Sequence, residues 1–182
     1  MNKAEIRKMM KACKSRLTDA EKSVAATRVF AQLEQTEAFI SADRILLYHS
    51  LPDELSTVEF IDRWAQRKQL FLPRVNGDEL EILPYDRMQL QKGAFNIEEP
   101  MGENLVEVSA MELIVVPAVA YDRHGNRVGR GKGYYDRLLA EASAQKIGVG
   151  YDFQLLDEIE AENHDVKVDM IITDQRQITL RK

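Results

Sequence analysis

Two patterns of apolar and polar positions alternate along the chain, one helical and one typical of buried strands. Residues 2–17 carry apolar side chains at helical spacing opposite a basic face, and Thr18 with Glu21 forms a capping-box pattern that predicts the start of a second helix. The short apolar runs at 44–49 and 113–116 predict buried strands, because such runs are too short for a buried helix.

Later segments continue this alternation. Ser56 and Glu59 predict a third helix that ends at about Arg67, and the turn at 76–78 predicts a hairpin. The strands of that hairpin would be 69–74 and 79–85. Towards the C-terminus, the pattern predicts a helix over 134–144, a strand over 146–151 and a short acidic helix over 155–162. Two closing strands would follow at 168–173 and 177–180. Helices alternating with strands predict one α/β domain over residues 1–182, a three-layer α/β/α arrangement around a central mixed, largely parallel sheet.

Composition narrows the class of protein. The 182 residues are 45% hydrophobic and 30% charged, which is ordinary for a soluble globular domain. The single cysteine, Cys13, excludes an intramolecular disulfide and fits a reducing cytoplasm. The net charge of −5 argues against general nucleic-acid binding, and no run approaches the roughly 18 apolar residues of a membrane span.

One segment, residues 113–139, combines a buried strand, a glycine-rich loop and a helix start. Glycines stand at 125, 129, 131 and 133, and the segment 122–137 has five cationic and two acidic residues, a local charge of +3. Glycines let backbone amides approach an anion closely, so this architecture predicts a phosphate site. The glycine spacing matches neither the P-loop nor the dinucleotide fingerprint.

The loop sequence DRHGNRVGRGKGYYDR at 122–137 closely resembles the signature of the 5-formyltetrahydrofolate cyclo-ligase family. Further landmarks stand in the family's order at Lys3–Arg7, Leu51–Glu54, Phe71–Arg74 and Asp165–Asp169. The resemblance covers essentially the whole chain. It implies a fold similar to that of sugar-phosphate isomerases and CoA transferases.

The resemblance also implies a reaction, in which ATP and Mg²⁺ convert 5-formyltetrahydrofolate to 5,10-methenyltetrahydrofolate, ADP and phosphate. Its partners would be two small molecules, a reduced folate and ATP, with neither nucleic acid nor membrane. We expect a monomer, although the sequence does not exclude an oligomer. No Ser/His/Asp or Cys/His constellation is evident, which suits phosphoryl transfer because this chemistry needs positioning and charge neutralisation more than a protein nucleophile.

Carried over onto this sequence, the family motifs suggest four sets of site residues. The ATP-binding set is Lys3, Ala4, Glu5, Ile6, Arg7, Arg127, Val128, Gly129, Arg130, Gly131, Lys132, Gly133, Tyr134 and Tyr135. The folate-binding set is His49, Glu54, Phe95, Arg130, Gly131, Lys132, Gly133 and Tyr134, where Phe95 replaces the family's usual tryptophan. The catalytic residues would be Arg130, Lys132 and Tyr134, and the metal ligands Asp136 and Asp165.

Several alternatives stay open at the level of sequence. Asp165 suits a helix-exit cap as well as a metal ligand, and His49 suits either a strand end or a pocket wall. His124 is better explained as a turn residue than as a proton carrier. The chain also suits a sugar-phosphate isomerase with Glu54 as its base, or a non-catalytic nucleotide-binding module.

Overall fold

The central feature of the fold is a sheet whose strands we number along the chain. This computed structural model describes residues 1–88, 90–92 and 98–180, and within them seven strands form the sheet. In spatial order they are β12 (Gln177–Thr179), β11 (Met170–Thr173), β9 (Gln145–Gly150), β6 (Leu113–Val116), β1 (Arg44–Leu46), β2 (Gln69–Asn76) and β3 (Glu79–Pro84). The five middle strands are parallel to one another. The edge strand β12 is antiparallel to β11, and the edge strand β3 is antiparallel to β2. The predicted mixed, largely parallel sheet is confirmed.

Both faces of the sheet are buried, which explains the uninterrupted apolar runs in its central strands. Leu113 and Val115 of β6 belong to a hydrophobic cluster on one face, and Ile114 and Val116 belong to a second cluster on the other. All four side chains are fully buried. Alternate residues of one strand therefore serve two separate cores.

The helices cover these two faces. They are α1 (Lys3–Ser15), α2 (Asp19–Glu34), α3 (Glu37–Ser41), α4 (Val58–Trp64) and α5 (Tyr134–Leu139), with short 3-10 helices at Val108–Ala110 and Asp152–Gln154. Side chains of α2, α3 and α4 join the cluster that contains Leu113, and side chains of α5 join the cluster that contains Ile114. This distribution gives the expected three-layer α/β/α architecture. The predicted capping box at Thr18 and Glu21 is present, with each residue's side chain accepting the other's backbone N–H.

The boundaries of two predicted helices were wrong. The helix α5 ends at Leu139 rather than at residue 144, because tight turns close it and β9 must begin at Gln145 to pair with β6. The helix α4 begins at Val58 and ends at Trp64, not at Arg67, since a turn there leads directly into β2.

The predicted acidic helix over 155–162 is also absent, since Leu155–Leu156 form strand β10 instead. Leu155 pairs with Tyr121, and the Ile159 N–H donates to the buried carboxylate of Asp122 at 2.8 Å. Tertiary pairing has overridden a local helical pattern. Asp122, at the end of a strand, therefore has a structural role.

A smaller sheet stands beside the central one and supports the glycine-rich loop. It consists of β7 (Ala120–Asp122), β8 (Arg127–Val128) and β10, and β7 and β8 form an antiparallel hairpin. Ile6 and Met10 of α1 are buried in one cluster with Ala120 and Val128. The apolar face of α1 thus fixes this helix against the strand from which the loop emerges.

The remaining strands, β4 (Leu90–Lys92) and β5 (Glu98–Pro100), pair antiparallel with each other, although the sequence of segment 86–111 has little periodicity that would predict strands. Phe95, expected to contact folate, lies outside the described residues. None of the described helices is long and apolar enough to cross a membrane.

Candidate functional site

A cavity of about 460 Å³ opens at the carboxyl ends of β1 and β6. From β1 the chain crosses to β2 on one side, whereas β6 lies on the other side of β1 and leads away to β9. The cavity therefore sits where the strand order reverses, which is the usual ligand position in open α/β sheets. Its volume suits a small-molecule site.

The glycine-rich loop forms one wall of this cavity. Gly129 to Tyr135 line it without a gap. Gly131 and Gly133 have φ angles of +104° and +70°, a backbone conformation that other residues rarely adopt. These glycines let the chain turn from β8 into α5 within five residues. Because α5 has only six residues, side chains and loop amides rather than a long helix dipole must supply most of the positive potential here.

Two cationic residues of α1 reach the same wall. Lys3 and Arg7 are four residues apart, on one helix face, and both line the cavity. Arg7 Nε donates to the carbonyl of Gly129 at 2.8 Å, so this side chain also holds the loop against the helix.

Arg127 lies at the base of the loop and is almost completely buried, with only 3% of its side chain exposed. Its Nη2 group donates to Asp136 Oδ1, but its Nε has no hydrogen-bond partner among the described residues. A buried donor without a partner is costly, so a ligand oxygen in the cavity would stabilise it.

Next to Arg127 lies a group of candidate metal ligands. One ligand atom each from Asp136, His164 and Asp165 lies within 4.8 Å of the others. Asp136 uses Oδ1 for both Arg127 and the Val166 N–H, and Asp165 uses Oδ2 for both Lys3 and the Glu162 N–H. None of these contacts uses Asp136 Oδ2 or Asp165 Oδ1, although His164 Nε2 lies 3.5 Å from Asp165 Oδ1, and carboxylate oxygens are the ligands that Mg²⁺ prefers.

The protonation state of Asp165 also suits a cation. Partial burial by itself would raise its pKa, but the Glu162 N–H and the Lys3 ammonium outweigh that effect and lower it. Asp165 does not end a helix, because the segment before it is not helical. His164 adds a candidate ligand that sequence reasoning missed.

The other end of the cavity has an apolar lining and a half-buried acid, Glu54, whose Oε2 lies 3.8 Å from Arg130 Nη2. Pro73, Val75 and Leu80 form its apolar surface, and Glu54 lies beside them. The Leu51 N–H donates to Glu54 Oε1 at 2.9 Å. Burial nevertheless raises the pKa of Glu54, although the Leu51 N–H and the Arg130 guanidinium oppose this change.

Glu99 lies at the same end and was missed by sequence reasoning. It is buried, lines the cavity, and accepts the Val75 N–H at 2.7 Å. The available signal was its position two residues beyond Phe95–Ile97, where the family resemblance predicted a folate contact. An acidic residue in an otherwise irregular segment did not by itself indicate a buried position.

The structure brings most, but not all, of the sequence-predicted residues to the cavity. Those that line it are Lys3, Arg7, His49, Glu54, Arg127, Gly129, Arg130, Gly131, Lys132, Gly133, Tyr134, Tyr135, Asp136 and Asp165. Four do not line it. Ala4 and Glu5 are exposed on α1, whereas Ile6 and Val128 are buried between α1 and the small sheet, because helical and strand geometry turn them away from their neighbours.

Known proteins match this chain over most of its length. A sequence model of the 5-formyltetrahydrofolate cyclo-ligase family matches residues 1–174. A 5-formyltetrahydrofolate cyclo-ligase of Mycolicibacterium smegmatis is 35% identical over 150 residues, covering 76% of this chain and 77% of the relative; the mouse enzyme is 29% identical over 156 residues, covering 72% and 73%.

Solved structures show the same similarity. The NMR structure of the 5,10-methenyltetrahydrofolate synthetase of Aquifex aeolicus superimposes with a TM-score of 0.91 at 32% identity, over 100% of this chain and 94% of that one. A 5,10-methenyltetrahydrofolate synthetase of Mycoplasma pneumoniae superimposes with a TM-score of 0.78 at 26% identity, over 96% and 99%.

Proposed function

Because this chain belongs to the 5-formyltetrahydrofolate cyclo-ligase family and is a ligase that acts on a folate, we propose that ATP and magnesium drive its reaction. It would convert 5-formyltetrahydrofolate to 5,10-methenyltetrahydrofolate and release ADP and phosphate. The substrates are small molecules, and the enzyme would work in the cytoplasm. We further propose a single domain acting as a monomer.

One observation carries this proposal, namely that a single cavity joins two chemically different ends. At one end, Arg127, Arg130 and Lys132 converge around a glycine loop, as a polyphosphate requires. At the other end, apolar side chains line the cavity together with the Glu54 carboxylate, whose Oε2 lies 3.8 Å from Arg130 Nη2, as a flat heterocycle with N–H donors requires. A ligand at each end would meet its neighbour beside the loop.

The chemistry explains why both ligands must meet. A formamide carbon is a poor electrophile, so its oxygen must first become a leaving group. The formyl oxygen attacks the γ-phosphorus of ATP, the bond from that phosphorus to the bridging oxygen breaks, and ADP leaves. The neighbouring folate amine then attacks the activated formyl carbon and closes the ring. The C–O bond breaks, phosphate departs with the original formyl oxygen, and the amine proton is released to the phosphate or to solvent.

The residues of the loop have separate tasks in this scheme. Arg130 and Lys132 neutralise charge on the transferred phosphoryl group, and the buried Nε–H of Arg127 donates to a phosphate oxygen. Tyr134, which lines the cavity and donates to the Gly77 carbonyl at 3.2 Å, borders the formyl group. His49 and Glu54 contact the folate ring.

The magnesium ligands would be Asp136 and Asp165, each of which has a ligand atom within 4.8 Å of the other's. When bound there, the metal would neutralise phosphate charge. The chain's own contribution is to orient both carboxylates, through Arg127 and Lys3 respectively.

A near-ultraviolet assay for the methenyl product tests the proposal. Purified protein is mixed with 5-formyltetrahydrofolate and Mg²⁺, with and without ATP, and we expect product only with ATP. Lys132→Ala should keep its thermal unfolding temperature but lose most activity, about 10- to 100-fold for one charge-assisted phosphate contact. Product without ATP, or none with ATP from folded protein, would contradict the proposal and favour a different phosphate ligand for the loop.

A further inference from the structure

We propose that Asp53 is a positioning residue, which holds the Arg130 guanidinium at the junction between the phosphate end and the folate end of the cavity. This inference rests on the proposed function, because Arg130 has its role only if the two ligands meet there. Asp53 itself does not line the cavity, whereas its neighbour Glu54 does. It would therefore act on the reaction through Arg130 and not by touching a substrate.

The geometry shows Asp53 as the nearer of two acids that face Arg130. Arg130 Nη2 lies 3.2 Å from Asp53 Oδ1 and 3.5 Å from Asp53 Oδ2. The distance from the same nitrogen to Glu54 Oε2 is 3.8 Å, too long for a hydrogen bond. Asp53 thus directs the guanidinium, while Glu54 Oε1 accepts the Leu51 N–H and Oε2 makes no hydrogen bond to Arg130.

Arg130 needs such a partner because its backbone provides little restraint. It stands between Gly129 and Gly131, the second of which has a positive φ, and 42% of its side chain is exposed. An arginine in this setting has many accessible rotamers, and fixing one of them costs conformational entropy. The ion pair with Asp53 supplies the restraint that packing does not.

Asp53 also forms an ion pair with Lys14 of α1. The Lys14 side chain is only 5% exposed, and its Nζ lies 4.0 Å from Asp53 Oδ2. Arg130 is nearer to the other carboxylate oxygen, Oδ1. Burial lowers the pKa of Lys14, and the charges of Asp53 and Glu54 act against that change. A buried cation is expensive without a counter-ion, so the fold has reason to keep Asp53 close to α1. The three charges Lys14, Asp53 and Arg130 therefore form one chain from the helix to the loop.

The ion pair also joins two segments that carry different ligand contacts. Asp53 belongs to the connection after β1, which brings Leu51 and Glu54 to the folate end, and Arg130 belongs to the glycine loop. Phosphoryl transfer depends on the alignment of attacking oxygen and phosphorus, and small misplacements are costly. A link between these segments would fix the distance between the two ligands.

The test is a double-mutant cycle between positions 53 and 130, measured with the ATP-dependent methenyl assay. Asp53→Asn should lower kcat about tenfold, between the few-fold effect of an exposed ion pair and the roughly 100-fold effect of a misplaced reacting group. The KM for ATP should change by less than about threefold, because the lost ion pair contributes to positioning rather than to binding. Asp53→Glu should restore part of the loss. In an Arg130→Met background, Asp53→Asn should have no further effect on kcat.

Asp157→Asn is the matched control. Asp157 pairs with Arg123 at 3.4 Å, is also exposed, and neither residue lines the cavity, so this variant removes the same charge and should keep wild-type kcat. Thermal unfolding of each variant separates a positioning role from a loss of fold. Wild-type kcat in Asp53→Asn, or equal losses from this change with and without Arg130, would overturn the inference. A wild-type enzyme that makes no product with ATP would instead refute the proposed function itself.

Discussion

Replacing Arg7 with methionine tests whether α1 holds the phosphate loop in shape. Arg7 Nε donates to the Gly129 carbonyl at 2.8 Å, and the guanidinium carbon lies 3.7 Å from where a side chain on Gly131 would begin. Methionine keeps most of the apolar length of arginine but can make no such hydrogen bond. The change therefore removes one clamp on the loop while leaving the buried contacts of α1 in place.

The expected size follows from the nature of this contact. A hydrogen bond from a charged group contributes about 1.5–3 kcal/mol, and the half-buried position of Arg7 favours the lower end of that range. About 1.5 kcal/mol corresponds to roughly a tenfold change in an equilibrium constant. We therefore expect Arg7→Met to raise the KM for ATP about tenfold or more, since any direct contact with phosphate adds to the loss.

The assay is the initial rate of methenyl formation at varied ATP and saturating folate. Lys8→Met is the control, because Lys8 is the next residue of α1, is exposed and does not line the cavity. It removes an equal charge from the same helix and should leave the KM for ATP within about twofold of wild type. If Arg7→Met also left the KM for ATP within about twofold of wild type, or if Lys8→Met raised this KM as much as Arg7→Met, the proposed role of Arg7 in holding the loop would be refuted. Arg7 would then contribute only to the overall positive electrostatic potential.

Two further predictions concern the ends of the cavity. Because burial raises the pKa of Glu54, the KM for folate should rise as the pH falls through that raised pKa. Glu54→Gln should abolish this rise at acid pH and should increase the KM at neutral pH. A pH profile of KM that Glu54→Gln leaves unchanged would contradict this role. The same shift means that the free energy of unfolding should fall as the pH rises through the raised pKa, a dependence that Glu54→Gln should abolish in denaturant titrations. Asp136→Asn should raise the Mg²⁺ concentration for half-maximal activity by about tenfold or more, because loss even of a residue that only hydrogen-bonds a metal ligand can have an effect of this size. The control Asp157→Asn should leave this concentration unchanged. An Asp136→Asn enzyme with a wild-type magnesium titration would place Asp136 in the fold alone.

The sequence predicted well those features that depend on local pattern and residue type. The apolar run that became β6 needed no tertiary information, because a strand buried on both faces has no polar positions. The turn in the glycine loop could also be predicted from residue type, since the positive φ angles at Gly131 and Gly133 favour glycine. The helical spacing of Lys3 and Arg7 sufficed to predict that they share a face.

The features that sequence missed depend on distant partners. The segment 155–162 looks helical alone, but Leu155 pairs with Tyr121 and the Ile159 N–H reaches Asp122, more than thirty residues away. Glu99 becomes a site residue only because β5 lies beside the end of β2, where the Val75 N–H needs an acceptor. No periodicity in the chain encodes that contact.

The Asp53–Arg130 pair was missed for a related reason. Its members are separated by 77 positions, and each by itself suits a solvated turn. Only the packing of α1 on the small sheet, which buries Lys14 beneath the β1–α4 connection, shows that the charges form one group.

The most direct test of the account follows the formyl oxygen itself. The enzyme is supplied with ATP, Mg²⁺ and 5-formyltetrahydrofolate whose formyl oxygen is a heavy isotope, and the released phosphate is analysed by mass spectrometry. If ATP phosphorylates the formyl oxygen, the isotope should appear in the phosphate with one label for each methenyl product formed. Unlabelled phosphate, or label recovered only in water, would contradict the central claim that the loop transfers a phosphoryl group to the folate.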